Sequence, residues 1–94
     1  MFTMTATILT VDDDRGFLDV LRDLLGQEPE FQLVGVAENG EEAVRAAREL
    51  EPDVVLMDLT MPRVNGFDAT RRIKSFRPAT KVIILTVHSE DHYE

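Results

Sequence analysis

The 94-residue chain contains no cysteine. Disulfides, thiolate zinc sites and cysteine nucleophiles are therefore excluded. No apolar stretch approaches the roughly 20 residues that a membrane-spanning helix needs. The N-terminal Met1-Phe2-Thr3-Met4 has neither a basic segment nor a long apolar core, so it does not read as a signal peptide. A cytoplasmic location is the simplest expectation. Basic residues are few, with 10 Lys and Arg against 18 Asp and Glu, for a net charge of -8. That balance argues against general binding of nucleic acid or anionic membrane by this segment. No Gly-x-Gly-x-x-Gly follows any predicted strand, which argues against a dinucleotide-binding domain. Repeats, low-complexity tracts and interdomain linkers are also missing, and the length allows a single small domain. The apolar fraction of 44% is ordinary for a globular chain, so disorder is not the default.

What remains alternates between two periods. A β-rich apolar run covers about residues 6–11. Asp14 follows as an N-cap, since its carboxylate can accept from the free amides of a first helical turn. Phe17, Val20, Leu21, Leu24 and Leu25 recur at helical spacing, with Arg22 and Asp23 outward. Gly26 and Pro29 close that helix. Phe31 to Ala37 reads as a second strand. Asn39 with Glu42 forms a capping box and opens a helix to about Leu50, with Ala43, Val44, Ala47 and Leu50 inward. Pro52 stops it. Asp53 to Met57 is apolar after its first residue, as a central parallel strand should be. A loop to Asn65 leads to a helix from Phe67 to about Phe76, with Ile73 and Phe76 inward and Arg71, Arg72 and Lys74 outward. Lys81 to Leu85 is a fourth strand, ending at Thr86. Such tight alternation predicts right-handed βαβ units and a parallel sheet.

Three sets of residues then fall at strand ends. Asp12 and Asp13 follow the first strand, Asp58 the third and Thr86 the fourth. With strand order 2-1-3-4 the first and third strands are neighbours, and the acids meet beyond their carboxyl ends, where open α/β sheets bind ligands. Like charges that close imply a bound cation or a shared proton. Each residue also has a plainer reading: an acidic pair after a strand can be a helix cap, and a strand-end threonine can be only a solvated hydroxyl. His88 and His92 have no partners at metal-ligand spacing, and Arg71, Arg72 and Lys74 read as a wet helix face.

Ile8-Leu9-Thr10-Val11-Asp12-Asp13, Asp53 to Pro62 with Asn65-Gly66, and Val82-Ile83-Ile84-Leu85-Thr86 together resemble the receiver domain of a two-component response regulator. The likeness runs over essentially the whole chain. It implies a flavodoxin-like, doubly wound parallel sheet and a phospho-acceptor at Asp58. It further implies a Mg²⁺ or Mn²⁺ ion held by Asp12, Asp13, Asp58 and the backbone carbonyl of Thr60, and a switch hydroxyl at Thr86. The implied phosphodonor is a histidine kinase. The segment Val34 to Gly40 looks most like receivers of the LuxR/NarL-type transcriptional regulators.

The pattern has departures. Val87 follows the switch threonine where a smaller residue is usual. The family's fifth strand and fifth helix, with a lysine that pairs with the phosphoryl group and an aromatic partner of the threonine, have no counterpart within residues 1–94. The expectation is an incomplete receiver ending at the start of its fourth helix. It would be slow to phosphorylate and would self-associate through the fourth-strand edge or the first helix. An interaction module that is never phosphorylated is the alternative. An aspartyl-nucleophile phosphatase is disfavoured, because Thr60 stands where such enzymes place a second aspartate. The chain is expected to be a phospho-acceptor and not an enzyme in its own right.

Overall fold

The computed structural model describes residues 5–58 and 65–85. They form β1 (Ala6–Val11), α1 (Arg15–Gly26), β2 (Phe31–Ala37), α2 (Gly40–Leu50), β3 (Val54–Asp58), α3 (Gly66–Phe76) and β4 (Lys81–Leu85). The four strands make one parallel sheet in the order β2-β1-β3-β4. The alternating periods predict this parallel α/β architecture, and the strand order is the one that the receiver resemblance implies.

The three helix starts follow from local chemistry. Asp14 accepts from the Phe17 amide, Asn39 from the Glu42 amide and Asn65 from the Asp68 amide. Each supplies an acceptor to a first-turn N–H that has no partner inside the helix. At α2, Glu42 reaches back to the backbone N–H of Glu38, 3.0 Å away. The box thus closes one residue before the cap itself. Asn65, which reads in the sequence as the end of a loop, caps α3, and Gly66 is already helical and buried.

The core lies between the sheet and the α2–α3 pair. Leu9, Val11, Val55 and Met57 from the strands meet Ala43, Ala47, Ala69 and Ile73 from the helices. Alanines at these helix positions let α2 and α3 sit close on the sheet. Leu50 is exposed rather than inward, and Phe76 is half-buried, stacked under the Arg48 guanidinium at 4.5 Å. β2 passes so near the end of α2 that a Cβ on Gly35 would stand 2.7 Å from Leu50 Cδ1.

The first helix departs most from its expected packing. Leu18, absent from the expected apolar set, is its buried residue at 4% exposure. Val20 and Leu24, expected to face the core, are 51% and 54% exposed. The reason is placement: α1 packs on β1 and β2, and no comparable packing joins it to β3 or β4.

Lys74 is not simply a wet side chain. Its ammonium donates to the carbonyls of Pro78 at 2.8 Å and Thr80 at 2.7 Å, which fixes the turn into β4. Thr80, fully buried, donates to the Pro52 carbonyl at 2.7 Å and ties that turn to the start of β3. Both contacts set the register in which Asp58 ends its strand.

Candidate phosphoryl-accepting site

β1 and β3 run side by side, with Val11 opposite Met57, so both strands end at the same rim of the sheet. The carboxylates of Asp12, Asp13 and Asp58 come together there, each offering an oxygen within 4.8 Å of the others. Asp12 and Asp58 are buried and Asp13 is exposed. One face of the cluster therefore opens to solvent while its floor is dry.

Backbone geometry holds Asp12 in place. Its N–H donates to the Ala37 carbonyl at 3.0 Å, which extends the β1–β2 ladder by one residue. Its Oδ1 accepts from the Asp14 amide at 2.9 Å. Burial pushes the Asp12 carboxyl above the usual carboxylate range; the Asp14 amide opposes this, and the charges of Asp58, Asp13 and Asp14 add to it. All of the charged neighbours acting on Asp12 are anions. A buried acid in that setting favours either a proton or a cation close by.

Hard carboxylate oxygens, open on one side to water, suit an ion such as Mg²⁺ or Mn²⁺. The residues present therefore fit the divalent ion that the sequence pattern implies. Thr60, whose carbonyl is the expected further ligand, and the expected switch residue Thr86 lie outside the described residues, as do Val87, His88 and His92.

Beside the cluster stands a feature with no sequence signal. Arg15, the first residue of α1, pairs with Glu38 after β2 at 3.0 Å. The Glu38 carboxylate, by hydrogen bond and charge, raises the guanidinium pKa further. The pair joins the start of α1 to the loop after β2, 23 residues on, a separation at which no spacing rule operates. It borders a groove of about 320 Å³ lined by Arg15, Leu18, Asp19, Arg22, Val36 and Glu38. That groove is flanked by mixed charges and lies to one side of the acids.

Residues 8–94 match the response regulator receiver domain family. Among curated relatives, the transcriptional regulatory protein DegU of Brevibacillus brevis is 41% identical over 86 residues, covering 92% of this chain and 36% of DegU. A two-component response regulator of the LuxR family from Aurantimonas sp. SI85-9A1 superposes with a TM-score of 0.84 at 37% identity, covering 95% of this chain and 64% of that one. A CheX-CheY-BeF3-Mg complex from Borrelia burgdorferi matches with a TM-score of 0.83 at 27% identity, covering 95% and 68%. The chain thus spans little more than a third of the length of DegU.

Proposed function

This chain belongs to the response regulator receiver domain family, and on that premise we propose that it is a phosphoryl-accepting signalling switch with Asp58 as the acceptor. The observation that carries the reading is the meeting of Asp12, Asp13 and Asp58 at one rim of the sheet. A carboxylate oxygen of Asp58 attacks phosphorus, forming an acyl phosphate while the bond from phosphorus to its donor breaks. The donor is the phosphohistidine of a histidine kinase, whose imidazole leaves and takes up a proton. Asp12 and Asp13, with Asp58 and the Thr60 carbonyl, hold a Mg²⁺ ion. When bound, that ion offsets the negative charge that would repel the incoming phosphoryl group. Thr86 donates its hydroxyl to a phosphoryl oxygen and relays the change.

The output proposed is control of transcription, by analogy with the named functions of DegU and the LuxR-family regulator. With a net charge of -8, this segment itself binds neither DNA nor an anionic membrane. No helix among the described residues is long and apolar enough to cross a membrane, and we place the switch in the cytoplasm. We also propose that the chain associates with itself.

Acetyl phosphate with Mg²⁺, followed by intact-mass measurement, tests the central reading. The expected result is gain of one phosphoryl group that depends on the metal and is missing in Asp58→Asn. Equal gain in Asp58→Asn, or none in the native chain after prolonged exposure, overturns it.

A further inference from the structure

Asp12 is buried at the acceptor site, and one of its carboxylate oxygens is held by the Asp14 amide. We propose that Thr10 is a positioning residue for Asp12: its hydroxyl donates, through one water molecule, to the other carboxylate oxygen, and so orients Asp12 toward a divalent cation. This role rests on the acceptor reading above and adds a residue to it.

Thr10 is fully buried, at 0% exposure. Its Oγ1 has no hydrogen-bond partner among the described residues. A buried hydroxyl left unmatched costs stability that a valine of nearly the same shape would not. Packing alone therefore disfavours threonine at this position, and departures of that kind concentrate at functional sites. Strand geometry shows which group the hydroxyl has beside it. Successive side chains alternate across a strand, and residues two apart share a face. Leu9 and Val11 belong to the core against α2 and α3. Thr10 and Asp12 thus stand together on the opposite face, the one on which α1 packs. Asp12 keeps the alternation, because its N–H continues the ladder to the Ala37 carbonyl. The other neighbours on that face are apolar. Ile8 lies two residues before Thr10, and Val36 and Leu56 stand directly opposite it on β2 and β3. Leu18 is the buried residue of α1. Among these neighbours Asp12 alone offers an acceptor side chain.

The spacing suits a bridge of one water. Residues two apart along a strand have Cα atoms roughly 6.6 Å apart. A water making two hydrogen bonds of about 2.8 Å spans a gap of that order. Asp13, exposed beside Asp12, marks the side from which water enters. Groups that hold a metal-binding side chain from behind fix its direction, and losing one typically costs about 10- to 100-fold in metal affinity. Thr10 therefore weakens the metal-free fold and strengthens the cation site. Those two effects are of opposite sign, which separates them from a role in packing.

Calorimetric titration of Mg²⁺ into the full chain, with thermal unfolding in EDTA, tests this in Thr10→Val and Thr10→Ser. Thr10→Val keeps the shape and loses the hydroxyl. Its Mg²⁺ dissociation constant should rise at least about tenfold, while its metal-free unfolding midpoint also rises. Thr10→Ser keeps the hydroxyl and loses a methyl group. Its midpoint should fall, while its dissociation constant stays close to the native value. Affinity then follows the hydroxyl and stability follows the methyl group. Native Mg²⁺ affinity in Thr10→Val overturns the role, and so does a loss in Thr10→Ser equal to that in Thr10→Val. Either result leaves Asp58 standing as acceptor where the native chain gains its phosphoryl group from acetyl phosphate. A native chain that takes up no Mg²⁺ overturns this role and the metal-dependent acceptor reading together.

Discussion

Asp12 and Asp53 are carboxylates at opposite ends of the sheet, and their environments pull their proton affinities in opposite directions. Asp53 accepts from the Thr7 amide at 2.9 Å and the Thr7 hydroxyl at 3.2 Å. These bonds, with a smaller contribution from Arg77, hold it below the usual carboxylate range. The unfolded chain therefore binds this proton first, and stability is lost as pH falls from the ordinary aspartate value through the lower folded one. Asp53→Asn should flatten that acid limb in denaturant titrations below about pH 4. Asp12 has the reverse sign. Its folded pKa is raised, so its contribution favours folding at low pH and is lost as pH climbs above the ordinary value. Asp12→Asn retains an acceptor for the Asp14 amide but removes a buried charge among anions. Without metal at pH 7 it should raise stability, read as a higher midpoint in thermal unfolding. The gain should shrink as pH approaches 4. A variant less stable than the native chain at pH 7 would show that the anionic cluster carries no strain.

At the scale of elements, the sheet was legible and one helix face was not. Asp14 and Asn39 announce helix starts because a cap is a local bond between a side chain and an amide three residues on. The alternation of periods gives a parallel sheet with right-handed crossovers, but the order of its strands was implied by the resemblance to receiver domains and not by the periods. Nothing local tells α1 which strands it will cover. Phe17, Val20, Leu21, Leu24 and Leu25 read as its inner stripe, yet Leu18 is the residue driven onto the sheet. The Arg15–Glu38 pair was equally invisible, because it forms only once the start of α1 and the loop after β2 are folded side by side. The consequence is measurable. Leu18→Ala should cost about 2–5 kcal/mol, the range for emptying a buried leucine site. Leu24→Ala should stay within about 0.5 kcal/mol, as for other exposed positions. Asn39→Ala, which removes the α2 cap, should fall between them at about 1 kcal/mol. Urea unfolding of the three variants separates the cases, and equal losses at Leu18 and Leu24 would return α1 to the packing its spacing suggests.

On the scale of the whole molecule, the acid excess and the converging strand ends make folding and cation binding one equilibrium. Three acids from two separate segments share a site only when β1 and β3 are paired. The unfolded chain has no such site, so the free energy of binding appears as added stability. Mg²⁺ at about one hundred times its dissociation constant should then stabilise the native chain by about 2.7 kcal/mol. For a domain of this length that is a rise of roughly 10–20 °C in Tm. A net charge of -8 also gives any salt a screening benefit. The comparison must therefore be with NaCl at equal ionic strength, where the expected rise is far smaller. Asp13→Asn removes the solvent-facing ligand without disturbing the buried floor, and should abolish most of the Mg²⁺-specific part while leaving the screening part unchanged. If Asp13→Asn responds to Mg²⁺ as the native chain does, the ion is acting on the acidic surface at large and not at the rim where the two strands end.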